Sequence, residues 1–248
     1  TIDELIRHAV TKMSHVHFVS NNDASNRLMQ LGELSELIHV IGSPDLDLMD
    51  PSKLPKLDFV KQYYDISFDN FSIAMFHPVT TEEGEMSKNI KEFVGALTQS
   101  KKNYVLIYPN NDPGSKLIIQ EYLKLKKNKS FRIFPSLRFE YFLTLLFHCD
   151  FMIGNSSAGI KEAPYYNIPS IDIGTRQQNR SQNNFIIHSD AKKTKIVKAI
   201  DVAVAMRSSG IKKPIEDFGS GNSDEQFLKI LLKKNFWLTS KQKQFQAI

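Results

Sequence analysis

Cysteine is nearly absent: Cys149 is the one such residue in 248. A single thiol cannot build a disulfide framework, and it excludes a thiolate-rich zinc site. Long apolar runs are missing too. None approaches the roughly 18 residues that a membrane-spanning helix needs. There is no HExxH and no GxSxG, so zinc-protease and serine-hydrolase readings fail. No internal repeat or low-complexity tract is visible. The first twenty residues carry Asp3, Glu4, Arg7, His8, His15 and His17, which is not a signal-peptide pattern. Together these absences point to the cytoplasm. Position 1 is Thr1 and not Met, so the chain is expected to be processed or to be a piece of something longer.

What is present is an ordinary globular composition. With 41% hydrophobic and 24% charged residues, the chain can bury a core and extended disorder is excluded. Its length fits one large domain, or one and a half smaller ones. The net charge, 32 − 27 = +5, leaves nucleic acid, membrane surfaces and anionic small molecules open as partners. The lysine-rich stretch 124–129 has no interleaved aromatics. It reads as a solvated helix end, not as a nucleic-acid platform.

From about residue 71, strand-length apolar runs alternate with helix-length amphipathic stretches. The runs lie at 71–76, 104–108, 131–134, 151–153, 170–173 and 185–187, and the candidate helices near 83–99, 114–127, 138–148, 159–166 and 191–208. Continuous Ile-, Val- and Phe-rich runs are what strands buried on both faces require. The alternation predicts an α/β fold with a doubly wound parallel sheet, which binds ligands beyond the carboxyl ends of its strands. The first fifty residues supply a helix over 2–13, strands over 17–20 and 39–41, and a helix near 23–31, and look like the edge of a second sheet. Residues 51–70 read as a connection. A last helix, about 222–235, follows the turn and capping cluster Gly219-Ser220-Gly221-Asn222.

Four segments stand where a strand ends. In 151–180, Gly154-Asn155-Ser156-Ser157 leads into a helix expected to begin near Gly159, a natural anion site. Gly154 and Gly159 have Walker A spacing, but Ile160 replaces the lysine, so a Mg-dependent NTPase is not read. Ser156 and Ser157 either meet an anion or simply cap the helix. Glu162 either compensates the dipole or accepts from ribose hydroxyls. Arg176 suits bidentate contact with a diphosphate. His77, after the first strand of the sheet, faces a phosphate or leaving group, or is a loop residue. Asn110, in a turn-rich loop, and Phe134 and Leu137, after the third run, have turn and packing roles as their simpler readings. On the first helix His8, Lys12 and His15 share a face. His148 and Cys149 read as core.

The segments MIGNSSAGIKEAP and PSIDIGTRQ, with TIDELIRHAVTKMSHVHFV, MFHPVTTE, YPNNDPGSK and FGSGN in the same order, are similar to the hydrolysing UDP-N-acetylglucosamine 2-epimerases. These include bacterial sialic-acid pathway enzymes and the epimerase half of the animal bifunctional enzyme. The likeness covers nearly the whole chain but not residues 49–70. It implies two Rossmann-like domains, as in B-type glycosyltransferases, with 71–221 as the C-terminal UDP-binding domain. Residues 1–50 would be a remnant of the N-terminal domain, 51–70 a linker, and 222–248 a helix returning toward that N-terminal domain.

The resemblance also implies roles. Ser156, Ser157 and Gly159 would meet the diphosphate and Glu162 the ribose. Asn110 would belong to the UDP site, and Phe134 and Leu137 would lie near the uracil. His77 and Arg176 would lie near phosphates or sugar, and His8 at the cleft. The implied reaction eliminates UDP from UDP-GlcNAc and hydrates the glycal to N-acetylmannosamine. No cofactor and no metal are implied, no nucleic acid and no membrane, and the complete enzyme would be a homo-oligomer. The acidic catalytic residues would lie outside this chain. Asn179 stands where the family commonly has Gly. A UDP-sugar glycosyltransferase, a non-hydrolysing epimerase, a diacetamido-sugar 2-epimerase and a non-catalytic nucleotide- or nucleic-acid-binding module stay open as alternatives.

Overall fold

The amphipathic stretch at the start of the chain forms α1 (Ile2–Met13), followed by β1 (His17–Val19), α2 (Asn22–Gln30), β2 (Ile38–Val40) and α3 (Pro44–Asp47). Then come α4 (Leu57–Tyr63), β3 (Ser72–Met75), α5 (Met86–Gln99), β4 (Tyr104–Ile107), α6 (Ser115–Leu123), β5 (Phe131–Phe134) and α7 (Phe139–His148). The chain continues through β6 (Met152–Gly154), α8 (Glu162–Tyr165), β7 (Ser170–Ile173), β8 (Ile186–Ser189), α9 (Lys193–Ser208) and α10 (Ser223–Leu231). The computed structural model describes residues 2–79, 84–177, 183–208, 218–240 and 242–243; Asn179 lies outside them. The chain divides into two units, Thr1–Lys53 with Glu216–Ile248, and Leu54–Ile215. Among the described residues no helix is long and apolar enough to cross a membrane.

In the first unit β1 and β2 pair in parallel, His17 opposite Ile38. Phe18 packs edge-on against Phe227 of α10 at 4.7 Å. The α10 cap differs from the local one expected. Asn222 makes no side-chain cap bond. Instead the Asp47 carboxylate accepts from the Ser223 N–H (2.9 Å), the Ser223 hydroxyl (2.6 Å) and the Asp224 N–H (3.0 Å), so a residue far away in sequence satisfies the orphan donors of that helix end. The expected basic face of α1 is also broken. Lys12 turns to the Leu31 carbonyl and, at 3.0 Å, to the buried carboxylate of Glu33. His17 and Lys243 reach the same carboxylate at 3.0 and 2.6 Å.

In the second unit the central runs become strands covered on both faces, Tyr104–Ile107 being buried throughout, while the edge strands β5 and β8 are only partly buried. The strand order is β5-β4-β3-β6-β7-β8, with every pairing parallel. That is the Rossmann order. From β3 the chain winds outward through β4 to β5. It then returns to β6 and winds the other way, so the switch point lies between β3 and β6. Helices α5, α6 and α9 cover one face, over a core that includes Phe76, Phe93, Leu106, Ile153 and Ile171. Helices α4, α7 and α8 pack on one another in sequence.

Two local expectations fail. The stretch 51–70 contains α4, which buries Val60, and just before that helix the Pro55 carbonyl accepts the Thr144 hydroxyl at 3.1 Å. The helix expected over 159–166 is a 3-10 turn, Ser157–Gly159, followed by the single α turn of α8. Pro164 has no N–H to return to Ile160, and Asn167 ends the turn at φ +55°. At the end of α7, Cys149 is fully buried, with Sγ 3.3 Å from the Leu146 carbonyl and 3.4 Å from that of Phe151. Burial pushes its thiol up to about 12.

Candidate functional site

The switch point is held by one side chain. Asn155 follows β6 and is 1% exposed. Its Oδ1 accepts from the His77 N–H at 2.6 Å, and its Nδ2 donates to the His77 carbonyl at 2.9 Å. The carboxyl ends of β3 and β6 are thereby joined beyond their last ladder bonds. Gly154 makes this approach possible. At φ +141° it sits against Met75, and a Cβ would lie 1.9 Å from the Met75 carbonyl oxygen.

Arg176, two residues past Gly174 at the end of β7, donates from Nη1 to the Asn155 carbonyl at 3.0 Å. Gln177 donates to the same carbonyl at 2.9 Å. The guanidinium therefore stands at the residue that precedes the two serines. The Ser156 hydroxyl accepts from the Ala158 N–H at 3.3 Å, so it caps the 3-10 turn, and Ser157 is exposed. The broken helix changes the electrostatics expected here. One α turn carries little macrodipole, so positive charge at this junction comes from Arg176 and not from a long helix. Gly159 lies against the Ser170 hydroxyl, where a Cβ would meet Oγ at 2.5 Å. Glu162 opens α8 with its side chain buried.

His77 is buried beside this loop. Its Nδ1 lies 3.1 Å from the Asn110 Oδ1, and the Asn110 N–H points at the same nitrogen from 3.2 Å. Asn110 in turn donates from Nδ2 to Asp112 at 2.5 Å. Burial, joined by the positive charge of Arg176, pulls His77 down to about 4, against the weaker opposing effects of Asn110 and Asp112. The imidazole is neutral at neutral pH. Below the loop, Asp172 is buried and accepts from His188 Nδ1 at 3.0 Å; burial raises its pKa and the histidine partly offsets this.

The structure thus brings His77, Asn110, Ser156, Ser157 and Arg176 around Asn155. Phe134 and Leu137 are half-buried at the carboxyl end of β5, two strands from the switch point on the same side of the sheet. His8 belongs to the first unit, exposed on α1 with Nε2 3.7 Å from the Glu4 carboxylate. Sequence reasoning missed Asn155 and Gln177 as organisers. Their only signal was position, since each directly follows a strand-end glycine or arginine already singled out.

The family model described as UDP-N-acetylglucosamine 2-epimerase matches residues 1–232. A UDP-N-acetylglucosamine 2-epimerase of Neisseria meningitidis serogroup B is 47% identical over 245 residues, 99% of this chain and 65% of the relative. A UDP-N,N'-diacetylbacillosamine 2-epimerase (hydrolyzing) of Legionella pneumophila is 31% identical over 235 residues, 93% of this chain and 61% of the relative. A crystal structure of a UDP-GlcNAc 2-epimerase from Neisseria meningitidis bound to UDP-GlcNAc shares the fold at TM-score 0.71 and 18% identity, over 90% of this chain and 62% of that one. The chain spans less than two thirds of the length of each of these three.

Proposed function

The chain belongs to the UDP-N-acetylglucosamine 2-epimerase family, and from that membership we propose that it forms the UDP-holding part of a hydrolysing epimerase. The observation that carries the reading is the joined switch point. There Asn155 ties β3 to β6 and receives Arg176 on its carbonyl, beside Ser156 and Ser157. A diphosphate placed there meets a guanidinium held by the Asn155 carbonyl, the capping hydroxyl of Ser156, the exposed hydroxyl of Ser157 and loop backbone.

In the proposed reaction UDP-GlcNAc loses UDP. The C1–O bond breaks, the diphosphate leaves with the electron pair, and a base takes the C2 proton to give a glycal. Water then returns a hydroxyl to C1 and a proton to C2, yielding N-acetylmannosamine. Arg176, Ser156 and Ser157 stabilise the departing charge. Glu162 holds the ribose, and Phe134 and Leu137 flank the uracil. Neutral His77, fixed by Asn110, faces the phosphate or sugar. The proton-transfer carboxylates lie outside these 248 residues. The hydrolysing outcome is supported by the Legionella relative, whose own name specifies it.

The test is calorimetric titration of the 248-residue chain with UDP, alongside incubation with UDP-GlcNAc. Binding of UDP without release of N-acetylmannosamine is expected. No UDP binding removes the reading. Robust turnover by the chain alone removes the placement of the carboxylates.

A further inference from the structure

The segment 51–70 matched no motif, yet it reaches the loop assigned to the base. The loop 135–138, between β5 and α7, has no regular secondary structure and is largely exposed, so its backbone donors take their partners from water or from outside the loop. One comes from Tyr64, the residue that ends α4. Its hydroxyl oxygen accepts the Arg138 N–H at 3.0 Å. The ring of the same tyrosine meets the Phe134 ring edge-on, with centroids 5.1 Å apart. One side chain therefore holds both ends of the loop.

Tyr64 is itself anchored. Asp65 adopts φ +50°, which turns the chain sharply out of α4, and the Ile66 N–H closes that turn on the Lys61 carbonyl at 2.8 Å. Arg132, inside β5, donates to the Tyr64 carbonyl at 3.4 Å and pairs with the Asp65 carboxylate. On the outer side the Arg138 guanidinium lies over the rings of Tyr63 and Tyr141, 5.5 and 5.6 Å from their centroids. Backbone and side chain of Tyr64 thus tie α4 to the two ends of one strand.

We propose that Tyr64 is a positioning residue for the nucleobase, holding the 134–138 loop in its base-receiving shape. The proposal rests on the reading of the site as one for UDP. A loop fixed before binding loses less conformational freedom when the base arrives, so the support acts on the base and not on the diphosphate. Removing the hydroxyl frees the Arg138 N–H, while the ring contact survives.

The experiment titrates wild type, Tyr64→Phe and Tyr64→Ala with UDP and, separately, with inorganic pyrophosphate, which has no base. Tyr64→Phe is expected to weaken UDP roughly 3- to 10-fold, the scale of one hydrogen bond, and to leave pyrophosphate unchanged. Tyr64→Ala, where it folds, weakens UDP further. Unchanged UDP affinity in Tyr64→Phe, or an equal loss for UDP and pyrophosphate, overturns the proposal and leaves the UDP reading standing. A wild-type chain that binds no UDP overturns both.

Discussion

His77 and Asn155 exchange two hydrogen bonds across the point where the winding of the sheet reverses, at 2.6 and 2.9 Å. A backbone N–H and a backbone C=O, both at a strand end and both beyond the ladder, are satisfied by one buried amide. Asn155→Ala leaves both without a partner. Each unsatisfied buried group costs about 1–3 kcal/mol, so a loss of roughly 2–6 kcal/mol is expected in denaturant unfolding. A loss below about 1 kcal/mol would show that water replaces the amide.

Arg176 and Ser157 bear on binding. Arg176→Ala and Ser157→Ala are each expected to weaken UDP by about 1–3 kcal/mol, the range for hydrogen bonds to charged groups. Calorimetry with unchanged affinity takes the residue out of the site. The arginine variant also frees the Asn155 carbonyl, which Gln177 still reaches at 2.9 Å, so its melting temperature should drop little.

Acid should act through His77. Its folded pKa of about 4 lies below the ordinary value of 6.5. Between those values the unfolded chain binds the proton and the folded chain does not. Stability therefore falls as pH drops through 6.5 toward 4, by about 2 kcal/mol between pH 7 and pH 5. His77→Gln cannot take up that proton, and its unfolding free energy should be correspondingly flatter over the same range. Parallel curves for the two proteins would refute the assignment.

Glu33 acts in the same sense as His77 but over a lower pH range. Burial pushes its carboxyl up, but Lys243, Lys12 and His17 together hold it down at about 2, below the ordinary 4.5. The stabilisation is present above 4.5 and is lost as pH falls toward 2. Glu33→Gln should lower stability by about 3 kcal/mol at pH 7, narrowing to roughly 1 kcal/mol at pH 3. Urea unfolding at both pH values measures the gap, and a gap of constant size would contradict it.

The parallel sheet was legible because Tyr104–Ile107 is apolar and buried at every position; Ser170–Ile173 is buried throughout as well, although Ser170 and Asp172 alternate with its isoleucines. The placement of His77, Asn110, Ser156, Ser157 and Arg176 at strand ends followed from the same alternation. Other features depend on partners that local pattern cannot reveal. Asp47 caps a helix that begins at Ser223, and no window of sequence contains both. Helix α4 buries only Val60, so its stretch looked like a polar connection. The helix over 159–166 was drawn through Pro164, whose missing N–H limits it to single turns. Asn155 was visible as a letter in a loop, but its role appears only when β3 and β6, distant in sequence, lie side by side.

Cys149 has a practical consequence. Its thiol is sealed between two carbonyls and stays protonated far above physiological pH, so the folded chain offers alkylating reagents no thiolate. A cysteine introduced on the surface becomes the sole labelling handle, for a fluorophore or a spin probe, without first removing the native one. Read the other way, the rate at which Cys149 itself is alkylated clocks how often α7 comes away from the sheet.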